Sequence, residues 1–304
     1  MMKSFFAEKK ALVIVNPISG RRTTKTDMFN ITDLFSTQGL ETTVYTTQCK
    51  GDAMEKARAR GADYDLVVIR GGDGTFNEVV NGVMQLEKRP MLGYIPAGST
   101  NDLARTLCIP INSNTEAIDT ILNGQPLFND IGTFNGADHW CYTASFGAFV
   151  NTAYETPQKM KNRFGRAAYF MQVPGAIRAV HPIRTRVVTD EGEELEDDLI
   201  LCAVSNSVSI AGVVKLPRRL VGLNDGKFEL LLVRYPRSAG EFTASVGRLL
   251  SKNFKDEDVR LLHTRRAEFT FEESVPWTID GEYAGAHESV VIENIHNAVQ
   301  IFRR

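Results

Sequence analysis

Three apolar runs in the first hundred residues each end in a loop of glycines, hydroxyls and carboxamides, and this repetition restricts the fold more than any other feature of the chain. Residues 11–15 lead into Asn16-Pro17-Ile18-Ser19-Gly20, residues 66–69 into Arg70-Gly71-Gly72-Asp73-Gly74-Thr75, and residues 91–95 into Pro96-Ala97-Gly98-Ser99-Thr100-Asn101-Asp102. Short continuous apolar runs suit strands buried on both faces. A further β-rich run lies at 42–46, and the apolar residues of 27–37, 52–60, 76–84 and 115–122 recur at spacings of three and four, as in helices. Thr115 offers the hydroxyl of a helix N-cap. The alternation predicts an α/β domain over residues 1–126, a parallel sheet with helices on both faces in three layers. In an open parallel sheet such loops emerge at one edge, where ligands bind, so a shared site is a geometric expectation.

Glycines at 71, 72 and 74 can take backbone angles closed to other residues and bring bare NH groups to an anion, and the next helix aims its positive dipole end the same way. A glycine cluster alone reads equally well as a structural turn, but three loops at one edge favour a phosphate site. A nucleotide is the first ligand to suspect. Asp73 inside such a loop would repel phosphate unless a cation lay between them, which makes it a candidate to hold Mg²⁺; the plainer reading is an Asp bracing the turn. Thr75, Asn77 and Glu78 start the following helix, and Thr75 doubles as a possible N-cap. Asn101 and Asp102 read either as the cap of the next helix or as part of the metal network.

From Leu127 onward the pattern changes. Runs at 140–146, 184–189, 199–204, 228–233, 267–271 and 289–293 are β-rich and separated by turn signals such as Asp190-Glu191-Gly192 and Asn224-Asp225-Gly226. Residues 127–304 therefore read as a second, mainly antiparallel β domain with helices near 156–180 and 238–250, its last strand free to return to the first domain. The net charge of −2 supplies no global field to draw the protein to nucleic acid. Cys49, Cys108, Cys141 and Cys202 show no paired spacing and read as reduced core residues of a cytoplasmic protein. The histidines have no metal-ligand spacing, the apolar start is too short for a signal peptide, and no window nears the roughly 20 apolar residues of a membrane span.

The motifs Asn16-Pro-x-Ser-Gly20, Gly71-Gly-Asp-Gly-Thr75 and Gly98-Ser-x-Asn-Asp102, with Asn224-Asp-Gly-Lys227 and Asp280-Gly-Glu282 further on, occur in an order that resembles the diacylglycerol kinase catalytic family, soluble bacterial lipid kinases related to sphingosine kinases. The resemblance covers nearly the whole chain. NAD kinases share the Gly-Gly-Asp-Gly-Thr loop, whereas residues 98–105 and the late Asp-Gly-Glu favour the lipid kinases. It implies a β-sandwich for the second domain, an active site in the cleft between domains, and ATP with Mg²⁺ as cofactors. It assigns nucleotide contacts to Asn16, Pro17, Ile18, Ser19, Gly20, Thr47, Gly72, Asp73, Gly74, Thr75, Phe76, Asn77, Glu78 and Ser99, where Ser replaces the usual Thr and keeps the hydroxyl. Glu282 becomes the general base toward a lipid hydroxyl, with Asp73 and Asp280 as further catalytic carboxylates. A second, structural Mg²⁺ is carried over to the Asp225 side chain and the carbonyls of Gly222 and Lys227. Read from sequence alone, both Asp280-Gly-Glu282 and Asn224-Asp-Gly-Lys227 are hairpin turns.

The chemistry expected is transfer of phosphate from ATP to the hydroxyl of diacylglycerol or a related lipid, giving a product such as phosphatidic acid. NAD kinase activity and a nucleotide-binding regulator without catalysis are the alternatives. A lipid substrate implies a peripheral visit to the membrane from the cytoplasm, for which Lys159, Lys161, Arg163 and Arg166 ahead of an apolar stretch are the candidate segment; a helix packed on the β domain is the plainer reading. A homodimer is left open. The chain departs from the family over Ser209-Ile-Ala-Gly-Val-Val214 and Pro217-Arg-Arg219, where only Gly212 and Pro217 persist, and lipid specificity is open there.

Overall fold

A computed structural model describes residues 5–19, 25–148, 181–210 and 214–304. Contacts divide the chain into one unit of Met1–Ile131 with His296–Arg304 and another of Gly132–Ile295. The fold is mixed α/β.

In the first unit, β1 (Lys10–Val15), β2 (Glu41–Thr46), β3 (Leu66–Gly71) and β4 (Met91–Pro96) pair in parallel in the spatial order β4, β3, β1, β2. Val13 stands opposite Val68 and Val44, and Ile69 opposite Tyr94. The central strands β1 and β3 are buried almost throughout, as continuous apolar runs require, whereas β2 at the edge is largely exposed. The helices α1 (Lys25–Thr37), α2 (Asp52–Arg60), α3 (Asp73–Val83), α4 (Asp102–Thr106) and α5 (Asn114–Asn123) connect them, α2 packing on α3 and α1 on α5. A Cβ on Gly82 would stand 2.4 Å from the Met54 carbonyl and 2.8 Å from the Ala57 Cβ, so α2 and α3 meet only because that side chain is missing. The cap of α5 is Ser113, whose hydroxyl accepts the Glu116 NH, and not Thr115, which lies inside the helix. The hydroxyl two residues upstream reaches the orphan NH from extended backbone; one inside the helix cannot.

The second unit is antiparallel. After β5 (Gln125–Phe134), in which the chain passes from one unit to the other, come β6 (Asp138–Trp140), β7 (Thr143–Gly147), β8 (Ile183–Thr189), β9 (Glu194–Ser205), the short pair β10 (Ser209–Ile210) and β11 (Val214–Lys215), and β12 (Phe228–Arg234). Then follow α6 (Ala239–Ser251), β13 (Lys255–Asp256), β14 (Val259–Thr264), β15 (Arg266–Ile279) and β16 (Glu282–Arg303). The run expected at 140–146 is two strands, because the chain bends at Cys141–Tyr142. The long strands β9 and β15 each pair with β8 at one end and β7 at the other, which wraps the array around an aromatic core. Trp277 lies at its centre, with ring centroids 4.8 Å from Phe146, 5.2 Å from Phe269 and 5.5 Å from Phe134. Gly132 faces Trp140 across the β5–β6 pair, and a Cβ there would fall 2.0 Å from the indole, so only glycine fits.

Along β12 alternate residues serve two cores. Phe228, Leu230 and Leu232 join the aromatic one, while Leu231 and Val233 join a second with Leu201, Val259 and Leu249 of α6. Glu229 occupies a position of this second set and is 1% exposed. The cysteines are free: Cys141 and Cys202 are buried, but Cys49 and Cys108 are exposed rather than core residues.

Candidate active site

In the first unit the three loops are joined directly. The Asn16 amide donates to the Thr75 hydroxyl (3.0 Å), and the Asn16 backbone NH to the Arg70 carbonyl (2.9 Å). Asp73 accepts from the Asp102 NH (3.0 Å) and the Tyr94 hydroxyl (3.3 Å), so it links the second loop to the third. Two of its bonds thus reach outside its own turn, one to the third loop and one to the strand β4 that precedes it. Gly72 and Gly98 touch backbone to backbone: a Cβ on Gly98 would lie 2.8 Å from the Gly72 Cα.

That contact changes the reason for the glycines. Among the described residues Gly71, Gly72, Gly74 and Gly98 are all absent from the left-handed region, Gly72 having φ −91° and ψ −177°. Gly71, Gly72 and Gly98 are needed for close approach, since a side chain at 71 would strike Thr75 and one at 72 or 98 the opposite loop. Gly72 is the N-cap of α3, which makes Thr75 an interior residue and not a cap; its hydroxyl serves Asn16 instead. The first intrahelical bond runs from the Phe76 NH to the Gly72 carbonyl, and the NH groups ahead of it form the open end of the helix.

Other expected nucleotide residues fall in three groups. Ile18 is 86% exposed in an Asx turn closed by Asn16 Oδ1, Ser19 donates to the Asn16 carbonyl, and Ser99 is exposed. Pro17 lies between them, and Gly20 is outside the described residues. Thr47 is buried and donates to the Val15 carbonyl at 3.3 Å, which ties the residue after β2 to the end of β1. Phe76 and Glu78 are scaffold: the Phe76 ring is fully buried against Tyr94, and the Glu78 carboxylate accepts the NH groups of Gly51 and Ala53 at the start of α2. Asn77 holds Asn81 one turn on, and Asn101 sits at the N-cap position of α4 with its amide on the Gly98 carbonyl, making no cap bond.

In the second unit Asp280 and Gly281 form the two-residue turn between β15 and β16, with Ile279 paired to Glu282. Both turn residues have positive φ, 48° and 81°, which the tight turn requires. Asp280 is buried, not the exposed carboxylate that a hairpin turn leads one to expect. It is 6% exposed and accepts three backbone NH groups, from Cys141 (2.7 Å), Tyr142 (2.9 Å) and Thr143 (3.1 Å). The Tyr142 hydroxyl donates to the Asp280 carbonyl at 2.8 Å. The carboxylate completes the bend between β6 and β7 and anchors the turn, while Glu282 stands exposed beyond it.

The Asn224–Lys227 turn is built differently. Asp225 is exposed, its Oδ1 accepts the Lys227 NH (3.0 Å), and its Oδ2 lies so near Gly222 that a Cβ there would be 2.1 Å away. Lys227 Nζ is engaged by Glu191 at 2.7 Å. Beneath the turn, Glu229 Oε1 accepts the Gly222 NH at 3.3 Å, and burial pushes its carboxyl up to about 9. One carboxylate with nearby carbonyls suits a hard cation that keeps most of its waters, so the residues present fit Mg²⁺. Glu229 and Tyr142 were not singled out in the sequence. An acid inside the otherwise apolar run Phe228–Val233 was a legible signal; nothing local marks Tyr142.

A model of the diacylglycerol kinase catalytic domain matches residues 10–134. The diacylglycerol kinase of Bacillus subtilis (strain 168) is 34% identical over 278 residues, covering 91% of this chain and 91% of the relative. That of Staphylococcus carnosus (strain TM300) is 32% identical over 280 residues, covering 91% and 90%. A crystal structure from Bacillus anthracis str. Sterne, assigned to the diacylglycerol kinases, aligns with a TM-score of 0.80 at 25% identity over 97% of this chain and 98% of that one. Yeast NADH kinase with bound NADH aligns at a TM-score of 0.52 and 13% identity over 96% and 82%, a likeness of fold alone.

Proposed function

This chain belongs to the diacylglycerol kinase family and is a lipid kinase, and from that premise we propose that it moves the terminal phosphoryl group of ATP to the free hydroxyl of a diacylglycerol, forming phosphatidic acid. The observation that carries the nucleotide half is the bonding of the three loops into one piece through Asn16–Thr75, Asp73–Asp102 and Gly72–Gly98. Phosphoryl transfer asks the protein mainly for positioning and charge neutralisation. The open NH end of α3 and the exposed Ser99 hydroxyl receive the phosphates, and the absence of side chains at 72 and 98 lets the two loops that carry them meet. Asp73 would hold Mg²⁺, which when bound would supply charge neutralisation for the phosphates.

Glu282 is assigned to the acceptor. An exposed carboxylate is a weak base for an alcohol, so it orients the hydroxyl and takes the proton late, as the oxygen becomes acidic in a loose transition state. Asp280 is a positioning residue, and the Asp225 turn with the Gly222 and Lys227 carbonyls is the proposed structural Mg²⁺ site. No helix among the described residues is long and apolar enough to cross a membrane. The encounter with lipid is proposed to be peripheral and transient, from the cytoplasm. The segment expected to dock, with Lys159, Lys161, Arg163 and Arg166, and the helix expected at 156–180 lie outside the described residues.

The test is incubation of the purified chain with terminally labelled ATP, Mg²⁺ and diacylglycerol in mixed micelles, with NAD as a parallel acceptor. Label is expected in a product with the mass of phosphatidic acid. Transfer to NAD alone, or to neither acceptor, overturns the proposal.

A further inference from the structure

Gly222 lies between two carboxylates: Asp225 Oδ2 packs against its Cα, and Glu229 Oε1 accepts its NH at 3.3 Å. The second Glu229 oxygen, Oε2, is buried with no hydrogen-bond donor, and Glu229 as a whole is 1% exposed. No ion pair among the described residues reaches either carboxylate, and the nearest lysine of the turn, Lys227, is committed to Glu191. The run Phe228–Val233, otherwise apolar, thus spends one core position on an acid that looks into a turn already carrying another acid. Burying a carboxylate with one donor is costly, and two acids so close oppose each other unless something positive joins them.

We propose that Glu229 is the second acidic arm of the cation site at this turn, its Oε2 holding a hard divalent ion directly or through one of the ion's waters. The inference rests on the reading that the Asp225 turn binds Mg²⁺, and it makes that site a two-carboxylate clamp that pins the turn to β12. The chemical class follows from the donors: oxygen ligands only, two of them carboxylates and the rest carbonyls and waters, which suits Mg²⁺, Mn²⁺ or Ca²⁺ and not a metal that seeks sulfur or imidazole.

The experiment is Mn²⁺ titration of the nucleotide-free full chain, followed by paramagnetic resonance of the free ion, for the parent, Glu229→Gln and Asp225→Asn. Glutamine keeps the volume and the Gly222 contact but not the charge. Both variants should weaken the Mn²⁺ site roughly 10–100-fold. If Asp225→Asn weakens binding and Glu229→Gln does not, Glu229 is only a buried acceptor and the inference is overturned. If neither variant changes binding, the cation reading of the turn itself falls. Should Glu229→Gln fail to fold, crystals of the parent grown with Mn²⁺ decide the matter: an anomalous peak whose inner shell, or its waters, include Glu229 Oε2 supports the clamp, and a peak bound by Asp225 without it overturns the clamp.

Discussion

The second unit contains the dipeptide Asp-Gly in two turns with opposite fates. At 280–281 the carboxylate is buried and meets three backbone NH groups; at 225–226 it is exposed, meets one, and has a second acid beneath it. The glycines are alike, with φ of 81° and 79°. What differs is the supply of donors. A bend in the chain at Cys141–Thr143 turns three successive NH groups toward Asp280, so no ion is needed there. Around Asp225 and Glu229 fewer backbone donors are in reach, and a cation is the proposed partner of the pair. The same two letters thus encode a strut in one place and a proposed metal site in the other.

The sharpest break in that comparison concerns the residue each strut serves. Glu282→Gln is expected to lower the turnover of lipid phosphorylation by about 10²–10⁴, the usual worth of a general base, with nucleotide affinity unchanged. Near-normal turnover would remove Glu282 from the reaction. Next in size is Asp280→Ala, which strands buried NH groups and should cost about 3 kcal/mol, seen as a fall of roughly 5–10 °C in melting temperature. Asp225→Ala, measured with chelator, should melt close to the parent. Equal losses in the two variants would mean that the turns are not distinguished by their donors.

Smaller again is a pH effect at Glu229, whose carboxyl is raised by burial to about 9. The folded state holds that proton more tightly than the unfolded chain does, so stability is full below the unfolded value near 4.3 and declines as pH rises toward 9. In chelator, the parent should lose about 2–3 kcal/mol between pH 6 and 8, and Glu229→Gln should lose less. Coincident melting profiles for the two proteins would show that burial does not govern this carboxyl.

The parallel unit was legible because its information is local: a buried strand, a glycine loop and a helix are each written in consecutive residues. Even there the reason for Gly72 and Gly98 was not, since it is their mutual contact, across 26 positions of sequence, and not a special backbone angle, that excludes side chains. Glu78 illustrates the same limit, standing in a phosphate-loop motif while capping a helix that begins 26 residues earlier, at Asp52. In the antiparallel unit the turns could be read, but their partners could not. The bend that satisfies Asp280 lies nearly 140 residues upstream, so neither its burial nor its three backbone donors could be read from the turn itself.

The smallest effect tests whether the strut does anything beyond holding. The Tyr142 hydroxyl donates to the Asp280 carbonyl at 2.8 Å, and a Cβ built on Gly281 would lie 3.6 Å from that hydroxyl. Tyr142→Phe removes that bond and leaves the three NH contacts of the Asp280 carboxylate in place. A neutral hydrogen bond is worth about 1 kcal/mol, so the melting temperature should drop by roughly 2–4 °C. If Glu282 works only when its turn is held, looser orientation should cost turnover up to about fivefold, the rate equivalent of 1 kcal/mol, with nucleotide affinity untouched. A loss as deep as that of Glu282→Gln would place the Tyr142 hydroxyl against the substrate instead, and the hairpin could no longer be treated as a scaffold with a single working carboxylate.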